Sequence, residues 1–314
     1  MSVSAAPEPT MDTTKNTTCS EHEIVPIFSG GGTRLSCYIG ILQALQEMGF
    51  TFRHLVGVSG GSIVAALYAA GHSLTEIKAL ALHTDFRKFW SFSFTSLLRT
   101  GGLCNGNKLE AWLDKQLHGI TFAELAYDLH ILATDINGGG PVVFNRARTP
   151  HLKVSKAIRF SMSIPLFFSF QAFDQHIMTD GVILSEDALH RDWSGAGLPL
   201  ICFRLKSDAE TKPVQASRYF PLVSYIYMLI RTFMSAVSRE YVHAEYWHNT
   251  IVINTGSVSS VDFALSHEQK LQLFDTGYQT ALRIVPLKLA SLFAFDSTGT
   301  TNNKATETVA SVKQ

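Results

Sequence analysis

Ser59 stands in a setting typical of a reactive serine, within a G-x-S-x-G sequence whose outer glycines are Gly57 and Gly61. The apolar run 55–58 predicts a short buried strand, and the apolar run 62–70 predicts a helix after it. A serine at a strand-to-helix corner lies in a strained turn that exposes its hydroxyl, and flanking glycines leave room for that turn. This arrangement is the nucleophile elbow of acyl hydrolases.

An acyl hydrolase also needs hydrogen-bond donors for the negatively charged oxygen that forms when the nucleophile attacks. Three consecutive glycines, Gly30, Gly31 and Gly32, lie between a predicted strand and a predicted helix. Backbone N–H groups of glycines can converge on one point without a Cβ in the way, and the helix start adds a favourable dipole. The loop matches neither a P-loop, because no Lys-Ser or Lys-Thr pair follows, nor a dinucleotide fingerprint, because Leu35 replaces a required glycine.

The base that would deprotonate Ser59 has two kinds of candidate. In α/β-hydrolases the chain order is serine, acid, histidine, and His243, His248 and His267 lie late enough to serve. Asp180 follows a short apolar strand and precedes a glycine, so its carboxylate is expected at a strand end, where active sites of α/β proteins gather. Removal from water raises the pKa of an aspartate above its free value of about 3.9, which makes a serine–aspartate dyad workable.

The elements that position these residues alternate between strand-like and helix-like segments, which predicts an α/β fold with a mostly parallel sheet. The chain has 314 residues, 46% of them hydrophobic, which is enough for a sizeable core. The polar segments 1–22 and 297–314 are predicted to be disordered tails, and residues 23–296 to form one domain. Lys plus Arg and Asp plus Glu both count 26, so no basic excess points to a nucleic-acid polymer as partner.

Two apolar stretches are candidates for contact with lipid. The run 86–94 is aromatic, and the run 219–237 has about the length of a membrane span. Pro221 and Arg231 lie inside the second run, which favours a core helix over a spanning one. A partly exposed amphipathic helix that rests on lipid remains the alternative. The absence of a signal-peptide pattern and the scattered cysteines predict a cytoplasmic protein.

Three motifs in this order and spacing resemble those of the patatin-like phospholipases. That family uses G-G-G-x-[KR], G-x-S-x-G and D-G-[GA], and this chain carries G-G-G-T-R, G-V-S-G-G and D-G-V. The departure is Val182, where the family usually has glycine or alanine and where a valine would narrow the pocket or shift Asp180. Further likeness lies in residues 133–135, 157–165 and 262–263.

The resemblance implies a three-layer α/β/α fold and a serine–aspartate dyad. In that reading Ser59 is the nucleophile and Asp180 is the base. The N–H groups of Gly30, Gly31 and Gly32 form the oxyanion hole, and Arg34 supports their loop. All residues of the family's G-G-G-x-[KR] motif are thus present here.

The resemblance also implies an activity. The expected protein is a lipid acyl hydrolase of the phospholipase A or lysophospholipase type, which cleaves carboxylic esters of membrane glycerophospholipids through an acyl-enzyme. It would act at the membrane surface under control of a small-molecule or protein activator, and this chemistry requires no metal or cofactor. The alternatives are a soluble esterase or thioesterase and a non-catalytic lipid-binding regulatory module, and the second of these predicts a missing nucleophile or base.

Overall fold

The structure, a computed structural model, describes residues 23–89, 99, 101–181, 186–208, 225–226, 228–232 and 244–298. Its strands are β1 (Val25–Ser29), β2 (His54–Val58), β3 (Gly102–Cys104), β4 (Asp128–Asp135), β5 (Gly140–Phe144), β6 (Leu166–Phe168), β7 (Gln171–Phe173), β8 (His176–Thr179), β9 (Leu200–Lys206) and β10 (Thr250–Asn254). Its helices are α1 (Leu35–Glu47), α2 (Gly60–Ala69), α3 (Leu74–His83), α4 (Asn107–Gln116), α5 (Val154–Ser161), α6 (Glu186–Leu189) and α7 (His267–Thr298). Short 3₁₀ helices cover Phe86–Phe89, Phe122–Glu124 and Ala244–Asn249.

A mostly parallel sheet of eight strands forms the centre of the molecule. Seven strands follow the order β10-β9-β1-β2-β4-β8-β7, and β5 pairs with β4 beside this path. Strands β10, β9, β1, β2 and β4 are parallel, whereas β5 and β8 run antiparallel to β4. Strands β3 and β6 form a separate parallel pair. The carboxyl ends of β1 and β2 therefore lie side by side, which is where this class of sheet places its functional loops.

Both faces of the sheet are covered, as the apolar sequence of the parallel strands requires. All five residues of β1 are buried. Neighbouring side chains on a strand point to opposite faces, and accordingly Phe28 packs in the larger apolar cluster while Ile27 packs in the smaller one. The larger cluster includes residues of α1, α2, α5 and α7, and the smaller one includes Leu189 and Trp193.

Several predicted elements are confirmed, and one large element was not predicted. The strands and helices around the glycine loop and Ser59 lie where the sequence places them. Ser73 and Glu76 form a capping box at the start of α3. Helix α7, with Pro286 inside it, was not predicted. Most of the run 219–237 lies outside the described residues. Among the residues that the structure does describe, no helix combines the length and apolar composition needed to cross a bilayer.

Helices α1 and α7 approach closely because each has a glycine at the crossing. A Cβ on Gly40 would lie 2.1 Å from the carbonyl oxygen of Phe274, and a Cβ on Gly277 would lie 2.0 Å from that of Cys37. Both distances are far below van der Waals contact, so neither position accepts a larger residue without moving a helix backbone. This crossing fixes α1, which begins directly after the glycine loop.

We expect Gly277→Ala to lower the free energy of unfolding by about 1–3 kcal/mol, because the added methyl group overpacks the crossing. In an open helical position the same change would stabilise by up to about 1 kcal/mol. Urea unfolding measures the difference. Gly140→Ala is the control, since a Cβ there meets nothing within 4 Å, and it should change the free energy by less than about 0.5 kcal/mol. Equal effects of the two changes would contradict the close crossing.

Candidate active site

Ser59 occupies the turn between β2 and α2 in a conformation that non-glycine residues rarely adopt, with φ 50° and ψ −127°. Such a conformation costs of order 1–3 kcal/mol and persists only where the surroundings enforce it. The flanking glycines allow those surroundings to close in. A Cβ on Gly57 would lie 2.5 Å from Cα of Ser62, and a Cβ on Gly61 would lie 2.2 Å from the carbonyl oxygen of Phe28.

The hydroxyl of Ser59 is not on the surface, so the expectation of an exposed side chain is wrong. Ser59 has no exposed area, and the same is true of Asp180. The reason is that the turn is packed under the glycine loop: a Cβ on Gly60 would lie 2.3 Å from the carbonyl oxygen of Gly32. The nucleophile candidate therefore lies in a water-poor interior, where electrostatic interactions are stronger than in solvent.

Asp180 accepts a hydrogen bond from the hydroxyl of Ser59, with 2.7 Å between Oγ and Oδ2. Its backbone is held on both sides. The N–H of Asp180 donates to the carbonyl of Ser163 at 3.1 Å, and its own carbonyl accepts from Oγ1 of Thr134 at 3.1 Å. The two residues separated by 121 positions in the chain are thus brought together at the ends of β2 and β8.

The position after Asp180 has room only for a glycine. A Cβ on Gly181 would lie 2.3 Å from the carbonyl oxygen of Leu132 and 2.8 Å from Cγ1 of Val58. Any other residue at this position would push Asp180 away from β2. Val182, where the sequence departs from the family motif, lies outside the described residues.

The late histidines lie elsewhere. His248 belongs to the 3₁₀ helix that precedes β10 and therefore lies at the amino ends of the parallel strands. Ser59 follows β2 and lies at their carboxyl ends. His267 begins α7, with its ring 6.4 Å from that of His83. His243 lies outside the described residues. The side-chain hydrogen bond of Ser59 goes to Asp180.

Asp135 is a second aspartate at a strand end, and its side chain binds the adjacent glycine turn. Its carboxylate accepts from the N–H groups of Asn137, Gly138 and Ile177. It also contacts Nδ1 of His176 at 2.6 Å. These hydrogen bonds, that of His176 above all, lower the pKa of Asp135 to about 2. Asp135 is therefore a firmly ionised turn residue rather than a base for Ser59.

The three glycines of the loop have different backbone partners. Gly30 joins the loop to the elbow, because its N–H donates to the carbonyl of Val58 at 3.1 Å and its carbonyl accepts from Gly61 at 2.8 Å. The N–H groups of Gly31 and Gly32 have no hydrogen-bond acceptor within the part of the chain that the structure describes. Of the three predicted oxyanion donors, that of Gly30 is therefore engaged within the fold.

Arg34 is buried and holds the loop from below. Its guanidinium donates from Nε to the carbonyl of Gly31 at 3.1 Å, from Nη1 to Oγ1 of Thr255 at 3.0 Å, and from Nη2 to the carbonyl of Leu205 at 3.4 Å. The C=O and the following N–H of a planar trans peptide point in opposite directions. By fixing the carbonyl of Gly31, Arg34 therefore also fixes the direction of the N–H of Gly32.

The segment after β10 also packs against the glycine loop, a contact that no sequence pattern predicted. A Cβ on Gly32 would lie 1.9 Å from the carbonyl oxygen of Ser260, and φ at Gly32 is +56°. The same carbonyl accepts the N–H of Thr33 at 3.0 Å. Ser260 is 227 positions from Thr33, so no local pattern could have indicated the contact.

A small apolar cavity of about 20 Å³ lies beside the glycine loop. It reaches from Gly32 and Ile63, which flank the loop and the first turn of α2, to Phe86 and Phe89 of the aromatic run. Residues 90–94 of that run lie outside the described residues. Its remaining lining residues are Thr33, Leu35, Leu109, Met162, Ile164, Phe168, Ser260 and Phe263.

A second cavity of about 270 Å³ lies on the far side of Phe86 and Phe263, which line both spaces. It is polar, and its walls include Asp85, Arg87 and Lys270. The ammonium of Lys270 donates to the carbonyl of Thr84 at 2.7 Å, and burial lowers its pKa. The two phenylalanines thus separate an apolar space beside the glycine loop from a charged one. Within the described residues, no cluster of three His, Cys, Asp or Glu side chains could hold a metal ion.

Comparison with known proteins agrees with this geometry. The profile described as "Patatin-like phospholipase" matches residues 27–190, more than half of the chain. The chain belongs to the patatin-like phospholipase family. The predicted family is thereby confirmed, and membership supports lipid hydrolysis as the activity.

Two curated proteins are similar to this chain over most of their length. "Uncharacterized protein YqhO" of Bacillus subtilis is 29% identical over 276 residues, which cover 80% of this chain and 94% of the relative. "Uncharacterized protein R571" of Acanthamoeba polyphaga mimivirus is 26% identical and covers 80% of this chain and 90% of its own length. Human "Patatin-like phospholipase domain-containing protein 6" is 31% identical over 110 residues, only 8% of its length.

Solved structures show the same fold. VipD from Legionella pneumophila matches 86% of this chain and 67% of its own, with a TM-score of 0.56 and 17% identity. ExoU in the ExoU–SpcU complex of Pseudomonas aeruginosa matches 86% of this chain and 52% of its own, with a TM-score of 0.51 and 18% identity. The predicted fold class, a patatin-like α/β fold with a mostly parallel sheet, is confirmed.

We expect Arg34→Lys to lower kcat/KM for a short ester on the order of 100-fold, the effect of losing one oxyanion donor. A lysine keeps the charge but cannot reach three acceptors with a planar fork, so the carbonyl of Gly31 keeps only the backbone N–H of residue 34 as a donor and the peptide between Gly31 and Gly32 is held less firmly. Steady-state hydrolysis of p-nitrophenyl butyrate measures the loss. Arg53→Lys is the control, because 83% of that side chain is exposed. An unchanged rate in Arg34→Lys would show that the clamp does not orient the donor.

Proposed function

We propose that this protein is a lipid acyl hydrolase of the phospholipase A type, which cleaves carboxylic ester bonds of membrane glycerophospholipids. The observation that carries the proposal is the 2.7 Å hydrogen bond between Oγ of Ser59 and Oδ2 of Asp180. A non-catalytic lipid-binding module has no need of this contact, nor of two N–H groups in the glycine loop that have no acceptor among the described residues.

In the first half-reaction Ser59 Oγ attacks the acyl carbonyl carbon, and its proton passes to Asp180. The carbonyl oxygen becomes an oxyanion held by the N–H groups of Gly31 and Gly32, whose donors have no other acceptor among the described residues. The ester bond then breaks, and the leaving lysophospholipid alkoxide takes the proton from Asp180. An acyl-serine remains.

In the second half-reaction Asp180 accepts a proton from water as the water attacks the acyl-serine. The same two N–H groups hold the second oxyanion. When the bond to Oγ breaks, the proton on Asp180 returns to Ser59 and a fatty acid leaves. A carboxylate can work as the base here because the dyad is buried, since burial raises the cost of its negative charge.

The lining of the apolar cavity suits the acyl chain of such a substrate, but the cavity measures only about 20 Å³ in this structure, so its walls must move apart to admit the chain. The cavity starts next to the donors of the oxyanion loop and is lined by aliphatic and aromatic side chains. Burial of an alkyl chain contributes about 0.8 kcal/mol per CH₂, which favours long acyl chains over short esters. A substrate with such chains resides in a bilayer, so we place the activity at a membrane surface and expect an activator or partner to control it.

We expect wild-type protein to release fatty acid from mixed phospholipid vesicles. Ser59→Ala should lower the rate by at least about 10⁴-fold, because it removes the nucleophile. Asp180→Asn should lower it by roughly 10²–10⁴-fold, because it removes the general base. Mass spectrometry of released fatty acids measures all three. Ser155→Ala and Asp128→Asn are matched controls that should retain activity.

Each other result contradicts a defined part of the proposal. Loss of activity in Ser59→Ala alone would make a histidine the base instead of Asp180. Hydrolysis of p-nitrophenyl butyrate without release from vesicles would favour a soluble esterase or thioesterase. A wild-type protein that binds vesicles but hydrolyses neither substrate would be a lipid-binding module.

The wall formed by Phe86 and Phe263 predicts a limit on acyl-chain length. We expect Phe86→Ala to enlarge the apolar cavity by the volume of the missing ring and to raise the ratio of kcat/KM for C16 over C8 esters by about tenfold, roughly what burial of two further CH₂ groups contributes. A series of p-nitrophenyl esters measures the ratio. Phe170→Ala, on a side chain that is 48% exposed and outside the cavity, is the control. An unchanged ratio in a folded Phe86→Ala variant would show that Phe86 does not limit the chain.

A further inference from the structure

Ser161, the last residue of α5, makes two hydrogen bonds that the proposed mechanism does not use. Its Oγ accepts the backbone N–H of Ser59 at 2.8 Å and donates to the carbonyl of Leu132 at 2.5 Å. Ser161 has no exposed area. It therefore ties the strained turn of the nucleophile to the neighbouring strand β4.

The same short segment holds the base. The carbonyl of Ser163 accepts the N–H of Asp180 at 3.1 Å and Oγ1 of Thr179 at 3.0 Å. Nη1 of Arg159 donates to Oγ of Ser163 at 2.8 Å, and burial lowers the pKa of Arg159 to about 10. Residues 161–163 are thus bound to the backbone of Ser59 at one end and to that of Asp180 at the other.

We propose that Ser161 is a positioning residue: through its hydroxyl, the turn 161–163 acts as a brace that sets the distance between Ser59 and Asp180. This inference rests on the proposed function, since the brace matters for catalysis only if the pair reacts. Ser161 touches neither the Oγ of Ser59 nor the carboxylate of Asp180, so it acts through the backbone of Ser59.

The chemistry of the position explains why a hydroxyl is needed. One atom must accept an N–H from Ser59 and donate to the carbonyl of Leu132, and only a hydroxyl does both in the space of a serine. Without it, the N–H of Ser59 would be buried without a partner. The turn, held at φ 50°, would then relax toward an ordinary conformation that satisfies this N–H, and Oγ would move away from Asp180.

Reactivity of Ser59 toward a fluorophosphonate tests the brace, because this reaction needs the activated nucleophile but no lipid surface. We expect the maximal labelling rate and kcat on p-nitrophenyl butyrate to fall on the order of 100-fold in Ser161→Ala, since a misplacement of about 1 Å can cost that much. The half-saturating probe concentration and KM should change less than about threefold. Ser161→Thr keeps the hydroxyl and should retain most of the rate.

Ser155→Ala is the matched control, because Ser155 is a buried serine of the same helix whose hydroxyl bonds to Asp114 instead. It should label at the wild-type rate. A structural role alone would lower the melting temperature in both variants without separating kcat from KM. Wild-type labelling in a folded Ser161→Ala variant, or equal losses in the two variants, would overturn the inference.

A crystal structure of Ser161→Ala decides the question even if no variant reacts. The brace predicts that φ of Ser59 departs from 50° and that the Oγ to Oδ2 distance lengthens from 2.7 Å to more than about 3.5 Å, beyond a hydrogen bond. Unchanged geometry would overturn the inference. Folded wild-type protein whose Ser59 is never labelled would instead overturn the proposed function.

Discussion

The hydrogen bond between Ser59 and Asp180 depends on a strained backbone, and much of the surrounding structure serves to hold that strain. Ser59 keeps φ at 50° because the elbow cannot relax: Gly57 and Gly61 let neighbouring backbone approach within the space of a missing Cβ. A conformation that costs of order 1–3 kcal/mol is stable only when several contacts enforce it together. The geometry of the site therefore depends on the packing around the carboxyl ends of the strands and not on the elbow sequence alone.

The oxyanion loop is held by residues from distant parts of the chain. Arg34 donates hydrogen bonds to the carbonyl of Gly31 and to Thr255. The carbonyl of Ser260 lies close to Gly32 and accepts the N–H of Thr33. Strand β1 lies between β2 and β9, so the loop that leaves it contacts the elbow on one side and the segment after β10 on the other. Ser59 and the proposed oxyanion donors are consequently positioned by one continuous set of contacts.

Local sequence patterns predicted those strands, helices and turns that depend on residues close together in the chain. The strand, glycine loop and helix around Gly31 and the corner at Ser59 follow from apolar runs and glycine positions, and both lie where predicted. Asp180 could be predicted as the base because a family motif contains it, whereas the residues alone left both Asp180 and the late histidines as candidates. The sequence indicated the proposed role of Ser161 only weakly, through a serine near the predicted end of a helix before Pro165. No pattern indicated the contact of Ser260, because long-range packing creates it, and the burial of Ser59 was missed for the same reason.

Direct trapping of the acyl-enzyme tests the central claim that Ser59 attacks a phospholipid ester. Wild-type protein is mixed with vesicles of a single phosphatidylcholine, quenched in acid during turnover and digested, and the peptide that contains Ser59 is analysed by mass spectrometry. The account predicts a mass increase equal to the acyl group minus one hydrogen, located on Ser59 and absent from Ser59→Ala. Release of fatty acid without any adduct on Ser59, or an adduct on another residue, would contradict it.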